Sequence, residues 1–491
     1  MIQLRSWLSR HATVLVYVAV AALILFRTLP YEFFGREVFD SDEAIFALMA
    51  KHLSVGKAFP IFAYHQKYLF GQISWLAAPL FVLFGPSVAM YRLPLLVINL
   101  GVGLLLVFLL RRESRLKSVD AWICALWFLI PSVRTARGFT NGCDGAIEPY
   151  LYLLVIWTLR KRPLLAGVIA GVGIATRPFV FYGVTAILLL ELAQNKNIKA
   201  FIQKCVIWGT GLALSIAAIQ VAAQYSTGYG GGNAPLMHKS IRHMLEDVRG
   251  YFAEIIPQTI GLETQRWLPT PGSPGMDNHW NVYTLALALV GAFLFCVLLR
   301  DLWKKGRPGL EALVADETLH FPAYLVLISL LTFIAYVILS PPSDDIRYTF
   351  TLILGFVGIY ALQRRLGTSA QLWHWSLVFV LGTCATNLWM NGRSWFDLAE
   401  IERAGHVSNL LDYLKKNHVR VAVAEDYWTS NNVTFLSNEE VVVTTPFGNI
   451  PQSIDAWKST PLQEQARVSP QPFPGGERVE GWYVSLHNAG R

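Results

Sequence analysis

The chain alternates long apolar runs with short polar connections, and most runs approach the length of a membrane crossing. A spanning helix needs about 20 apolar residues. Runs of this kind cover 13–30, 88–110, 119–133, 147–160, 200–222, 281–300, 321–340, 348–363 and 370–389. The stretch 164–194 reads as a helical hairpin whose outer turn is marked by Arg177-Pro178. Counted as two helices, it brings the expected number of transmembrane helices to about eleven. One more segment, FGQISWLAAPLFVLFG (70–85), is apolar enough to insert. A crossing there would put every later basic cluster on the wrong side, so it reads as juxtamembrane or re-entrant.

The pattern changes beyond residue 389. A helical pattern near 398–417 is followed by strand-like VRVAVA (419–424), EVVVTT (440–445) and WYVSL (482–486), with a Pro-rich link at 469–475. The expected fold class is therefore an all-α polytopic membrane bundle over 1–389. A small C-terminal α/β extracytoplasmic lobe over 390–491 completes it.

Charge orients the bundle. Arg5 and Arg10, RRESRLK (111–117), RKR (160–162), NKNIK (195–199), KKGR (304–307) and QRR (363–365) all fall on one side, which the positive-inside rule makes the cytoplasm. The outer side then receives the loops 31–87, 134–146, 223–280 and 341–347 together with the lobe. The apolar stretch from Ala12 to Pro30 has no A-x-A cleavage site and reads as a retained first span. In loop 223–280, YSTGYGGGNAP is flexible by its glycines. The following SIRHMLEDVRGYFAEII places Ile241, Met244, Leu245, Val248, Phe252, Ile255 and Ile256 near helical spacing. That pattern fits an amphipathic helix lying on the interface.

Composition agrees with this reading. The chain is 54% hydrophobic and only 15% charged, with mean hydropathy +0.40, whereas soluble domains carry about 25% charge. The net charge of +8 does not point to nucleic acid, because the basic residues fall in short clusters between apolar runs. Of five cysteines, Cys124, Cys205, Cys296 and Cys384 lie inside apolar segments, and only Cys143 lies in a loop. Neither a disulfide framework nor a metal-type spacing results. Asn432-Val433-Thr434 is a lone formal sequon.

The candidate chemistry begins at FDSDEAIFALMA (39–50), where Asp40, Asp42 and Glu43 stand just before an apolar helical pattern. Asp40 as N-cap and Glu43 at N3 make a capping-box-like pair, and acids suit the first turn of a helix. Asp42, at N2, has no such explanation. The spans hold almost no acids near their middles, unlike an ion-coupled transporter. The outer face instead gathers Asp40, Asp42, Glu43, Lys67, Arg134, Arg137, Asp144, Asp344, Asp345 and Arg347.

FDSDEAIFALMAKHLSVGKAFPIFAYHQKYLFG resembles the first extracytoplasmic loop of GT-C glycosyltransferases that use polyprenyl-phosphate sugars. That group includes protein O-mannosyltransferases and lipid A aminoarabinose transferases. The shared elements are Asp42-Glu43 opening a helix, Gly56, and HQKYLFG (65–71). RLPLLVINLG (92–101) and ATRPFVFYG (175–183) are similar to later family segments. PPSDDIRYTFTLIL (341–354) resembles an "R-Y-L-x-P-L" element but lacks its proline, and VAVAEDYWTSNNVTFLSNEEVVV (421–443) resembles the tail of bacterial members.

The resemblance implies transfer of a sugar from a lipid phosphate to an acceptor on the outer face, with inversion. It implies Asp42 as general base and Glu43 as its support. Asp144 would orient acceptor or sugar hydroxyls, or would be a solvated turn residue. Lys67 matches a phosphate-contacting lysine, with snorkelling as the alternative. Arg134, Arg137 and Arg347 break the positive-inside trend and suit phosphate oxygens. They could equally pair with nearby acids, Arg137 with Asp144 and Arg347 with Asp344 or Asp345. Tyr68, with Tyr64 and Tyr348, could orient the lipid phosphate or sugar. A lipid monophosphate leaving group can be held by protein cations, so no metal or other cofactor is expected. The expected partners are a polyprenyl-phosphate sugar donor, a glycan, lipid or protein acceptor, and the bilayer, with the N-terminus cytoplasmic in a bacterial inner membrane. A lipid or sugar transporter or flippase, and a surface-polysaccharide assembly protein, are the competing readings.

Overall fold

The computed structural model describes residues 2–64, 66, 69–143, 147–194, 197–227, 240–268, 275–339, 349–367, 369–445 and 451–486. Helix α1 (Ile2–Phe33) opens the chain, and α2 (Ser41–Ser54) and α3 (Gln72–Phe84) follow it. The bundle continues through α4 (Val88–Arg112), α5 (Ser118–Leu129), α6 (Val133–Thr140), α7 (Glu148–Leu159), α8 (Pro163–Thr176), α9 (Val180–Gln194) and α10 (Ile198–Gln224). Next come α11 (Ile241–Gly250), a π turn (Tyr251–Ile255), α12 (Ile256–Ile260) and an antiparallel hairpin of β1 (Thr264–Leu268) and β2 (Gly275–His279). Helices α13 (Val282–Ala315), α14 (Glu317–Leu339), α15 (Leu352–Arg365) and α16 (Ala370–Ala404) complete the bundle.

Every apolar run read from the sequence contains a helix, but the helices differ in length. Among the described residues, His11–Phe33, Val88–Arg112, Ile198–Gln224 and Glu317–Ile338 are long and apolar enough to cross a membrane. Helices α5 and α6 make a fifth crossing if counted together, bent by 83° at their break. Pro131 lies at that break, and Ser132 caps the new helix by accepting from Thr135 N at 3.2 Å. Helix α3 has 13 residues, about 20 Å of rise against a hydrocarbon core of about 30 Å.

Two features hold the bundle together without a water-driven force between helices. The first is close approach through small residues. Gly167 and Gly171 of α8 face α10, so that a Cβ at Gly167 would lie 2.3 Å from Trp208 O and one at Gly171 1.9 Å from Ser215 Oγ. Gly211 of α10 answers them, 2.2 Å from Leu164 O on the same basis. This small-xxx-small pairing lets backbones touch. The second is buried polar glue. Arg27 of α1, 1% exposed, donates to Asn99 Oδ1 at 2.9 Å and lies over the rings of Phe128 and Phe139. The aromatic faces offset part of the cost of burying its charge.

The segment 240–256 is helical as its spacing predicts. Tyr251 and Ile255 are buried, and Tyr251 packs on Phe333 and Tyr336 of α14. Ile241, Leu245 and Phe252 stay exposed on the other side, which suits an interfacial helix.

The lobe comprises α17 (His406–Lys416), β3 (Val421–Ala424), a 3-10 turn (Tyr427–Thr429), α18 (Ser430–Leu436), β4 (Val442–Thr444), α19 (Pro451–Ser459), β5 (Gln465–Ser469), β6 (Glu477–Val479) and β7 (Trp482–Leu486). The sheet order is β4-β3-β5-β7-β6. β3 is parallel to both β4 and β5, and β7 is antiparallel to β5 and β6. Its core includes Leu410, Leu414, Val443, Val468 and Trp482. The position 389/390, where the lobe was expected to begin, falls inside α16. That helix runs unbroken until Gly405, at φ 60°, ends it. Met390, Leu398 and Ile401 keep its second half packed against Tyr31, Val133 and Trp267, and the lobe's own core starts at Val407.

Gly171→Leu is expected to lower the thermal midpoint in detergent, because overpacking of this contact costs about 1–3 kcal/mol. Gly209→Leu on the same α10 serves as the comparison. A Cβ there meets nothing within 4 Å, and its midpoint should stay within experimental scatter.

Candidate active site

The three acids at the start of α2 have separate fates. Asp40 is the N-cap, and its Oδ1 accepts from Glu43 N at 2.8 Å. Its Oδ2 accepts from Arg137 Nη2 at 3.0 Å and from Asn141 Nδ2 at 2.9 Å. The helix start is thus capped as the sequence predicts.

Glu43 is wholly buried and its carboxylate goes to two arginines. Arg92 of α4, also wholly buried, grips it as a fork: Nε to Oε2 at 2.9 Å, and Nη2 to Oε1 at 3.0 Å and Oε2 at 2.8 Å. Arg92 Nη1 donates to Tyr31 O at 2.8 Å and Gly35 O at 3.2 Å at the end of α1. Arg137 of α6 pairs with Glu43 Oε1 and donates to Val38 O at 3.0 Å. Burial pushes the Glu43 carboxyl up, against the pull of Arg137 and Arg92. The reciprocal half of a capping box would turn this carboxylate back to Asp40 N; it turns inward instead.

Asp42 is half-buried. Its Oδ1 accepts from the Tyr427 hydroxyl at 2.5 Å. Tyr427 belongs to the lobe, and the lobe docks on the same turn of α2. Ser41 and Ser430 hydroxyls meet at 3.0 Å, Asn431 N donates to Ser41 Oγ at 2.9 Å, and Asn432 Nδ2 donates to Phe39 O at 3.2 Å. Asn432, the asparagine of the sequon, is 2% exposed and serves this contact.

The far end of α2 is also tied to the lobe. Lys51 and Lys57 approach Glu439 at 2.7 Å each, and His52 Nε2 faces Glu439 Oε1 at 3.0 Å. His52 Nδ1 meets the Tyr64 hydroxyl at 2.7 Å. Burial pushes the Glu439 carboxyl up, but hydrogen bonds from His52, Lys51 and Lys57 overcome it and hold the group well below the carboxylate range. Asn438 and Glu439 both adopt left-handed backbone, at φ 58° and 65°. For a glutamate that geometry needs support, which the Lys51, Lys57 and His52 side chains supply.

Of the other residues singled out from the sequence, Arg134 donates from Nη1 to Gln258 Oε1 at 2.7 Å, and its backbone N–H to Gln265 Oε1 at 2.9 Å. Its side chain therefore faces α12 rather than the acids. Lys67, Tyr68, Asp144, Asp344, Asp345, Arg347 and Tyr348 lie outside the described residues. Sequence reasoning assigned no role to Arg92, Asn141, Tyr427 or the Lys51–His52–Lys57–Glu439 group. Arg92 carried a signal, an arginine at the start of an apolar run with no acid nearby in sequence. Among the described residues, no three His, Cys, Asp or Glu side chains gather in a way that could hold a metal ion.

Helices long and apolar enough to cross a membrane, an acid-bearing helix at the bundle's end and a docked C-terminal sheet make up an overall fold that is shared with solved structures. Solved structures with this fold include ArnT from Cupriavidus metallidurans bound to undecaprenyl phosphate, at 12% identity and a TM-score of 0.52, covering 98% of this chain and 99% of that one. The same protein in its apo state aligns at 11% identity and a TM-score of 0.53, with the same coverage. The chain matches no protein-family model and no curated protein sequence. The likeness is therefore one of fold.

Two outcomes follow from the acid cluster and the α2–lobe contacts. Arg92→Met is expected to cost about 3–5 kcal/mol in a thermal or denaturant melt, as losing one partner of a buried pair does. Arg92→Lys should recover only part of that, since an ammonium cannot form the fork. Glu439, held below its ordinary value of 4.5, contributes fully above that pH and progressively less as pH falls below it. Hydrogen exchange of α18 should accelerate as pH is lowered through this window, after correction for intrinsic rates, and Glu439→Gln should flatten the dependence.

Proposed function

We propose that this protein is a membrane glycosyltransferase that moves a sugar from a polyprenyl-phosphate donor to a glycan, lipid or protein acceptor on the outer face. The observation that carries the reading is the separation of the acids. Asp40 and Glu43 give their oxygens to Arg137 and Arg92 within the bundle, and Asp42 is met by the Tyr427 hydroxyl from the lobe. The shared fold, in which ArnT binds undecaprenyl phosphate, supports the donor class.

In the proposed step, an acceptor oxygen forms a bond to the anomeric carbon as the bond from that carbon to the phosphate oxygen breaks. The electron pair leaves with the polyprenyl phosphate, the acceptor proton passes to Asp42, and the configuration inverts. A positioned base of this kind contributes about 10²–10⁴-fold, and cations on the leaving phosphate stabilise the charge that develops there. Lys67, Tyr68 and Arg347 are the residues proposed for that task, and Asp144 for orienting hydroxyls; Arg134, turned to Gln258, is not among them. Arg137, its fork engaged by Asp40 and Glu43, enters as a support of α2. Protein cations suffice for a monophosphate leaving group, so the proposal includes no metal. The proposed setting is a bacterial inner membrane with a cytoplasmic N-terminus.

Purified protein given polyprenyl-phosphate sugars and candidate acceptors should release sugar from the lipid, and Asp42→Asn should lower that turnover by at least about a hundredfold. Unchanged turnover in Asp42→Asn would remove the base assignment. Movement of lipid or sugar across the bilayer without sugar transfer would favour a transporter.

A further inference from the structure

Tyr427 reaches Asp42 across 385 positions of sequence, from a different part of the fold. We propose that Tyr427 is a positioning residue for Asp42: its hydroxyl fixes the carboxylate of the base, so that the C-terminal lobe supplies part of the site. The inference rests on the reading of Asp42 as general base.

The geometry holds both ends of this hydrogen bond. On the lobe side, Tyr427 begins a 3-10 turn capped by Asp426, whose Oδ1 accepts from Thr429 N at 2.9 Å and Oδ2 from Thr429 Oγ1 at 2.7 Å. The turn leads directly into α18, which is bonded to Ser41 and Phe39. On the bundle side, Asp42 lies between Ser41, held by the lobe, and Glu43, held by Arg92 and Arg137. Neither partner is therefore left to rotate as a surface side chain would.

The chemistry of the pair has one direction. Burial and the neighbouring Asp42 carboxylate push the Tyr427 phenol well above its ordinary value, so it is a neutral donor across the physiological range. A donor on Oδ1 favours the ionised carboxylate, which is the form a base needs. It also limits rotation about the Cβ–Cγ bond, which keeps the carboxylate plane in one orientation toward the acceptor. Docking alone does not require this hydroxyl, since the serine and asparagine contacts already join the lobe to α2.

The test uses the full-length protein in detergent or nanodiscs. The carboxyl band that Asp42→Asn removes from pH-difference infrared spectra is that of Asp42. In Tyr427→Phe its titration midpoint should rise by roughly one to two pH units, the size of one hydrogen bond to a charged group. A midpoint that is unchanged or lower overturns the inference. Should Tyr427→Phe fail to fold, 3-fluorotyrosine at position 427 keeps the shape and makes a stronger donor. The midpoint should then fall, and an unchanged value again overturns the inference. With polyprenyl-phosphate sugar as probe, the acid limb of kcat/KM should move up with the infrared midpoint in Tyr427→Phe. Its kcat should drop about tenfold with KM within twofold. An unchanged limb and kcat beside an inactive Asp42→Asn removes the role of Tyr427 and leaves the base reading standing. An active Asp42→Asn removes the base, and the positioning role with it.

Discussion

The buried fork between Arg92 and Glu43 is the constraint on which the site depends. Both side chains are wholly shielded from solvent, a costly arrangement unless every charge finds partners. Here they do: one guanidinium holds both oxygens of Glu43 and two carbonyls at the end of α1, and Arg137 adds a second cation from α6. One small network thereby joins α1, α2, α4 and α6. Because Glu43 is the third residue of α2, the network also sets where that helix starts. Its neighbour Asp42 is placed as a consequence, on a different side of the turn.

The lobe then acts on the helix that the arginines have fixed. It grips α2 at its first turn through Tyr427, Ser430, Asn431 and Asn432, and at its last turn through Glu439. These contacts are polar, several are buried, and they span the length of one short helix. A helix held at both ends by the lobe and anchored below by two arginines is a rigid platform. Rigidity of this kind is what a base needs if its oxygen is to meet an acceptor proton in a fixed geometry.

Much of the fold was legible because apolar runs and alternating strands are local signals. The cap at Asp40, the turn at Arg177-Pro178, the helical stretch from Ile241 and the lobe strands β3, β4 and β7 follow from spacing within a few residues, whereas β5 and β6 were not read. The bend between α5 and α6 was legible only in part, since Pro131 marks the break but not the 83° turn. The continuation of α16 past residue 389 was hidden by Arg393, Asp397, Glu400 and Glu402. Their charge looks like a soluble segment, while Met390, Leu398 and Ile401 keep it packed. The site was less legible still. Asp42 and Glu43 stood out as acids beside a membrane, but Arg92 lies 49 positions from Glu43 and Tyr427 lies 385 from Asp42. No periodicity reports pairings at such separations. Arg137 illustrates the same limit: its breach of the positive-inside trend was a true sign of an anionic partner, and the partners are Asp40 and Glu43.

The central claim is that Asp42 faces the reacting carbon of a lipid-linked sugar. Its most direct test is a structure of the full-length protein bound to a non-transferable polyprenyl-phosphate sugar analogue. The account predicts the anomeric carbon beside the Asp42 carboxylate, separated from it by room for one acceptor hydroxyl, with the phosphate on the opposite side of the sugar. An analogue whose sugar sits elsewhere in the bundle, with Asp42 sealed beneath the lobe, would contradict it.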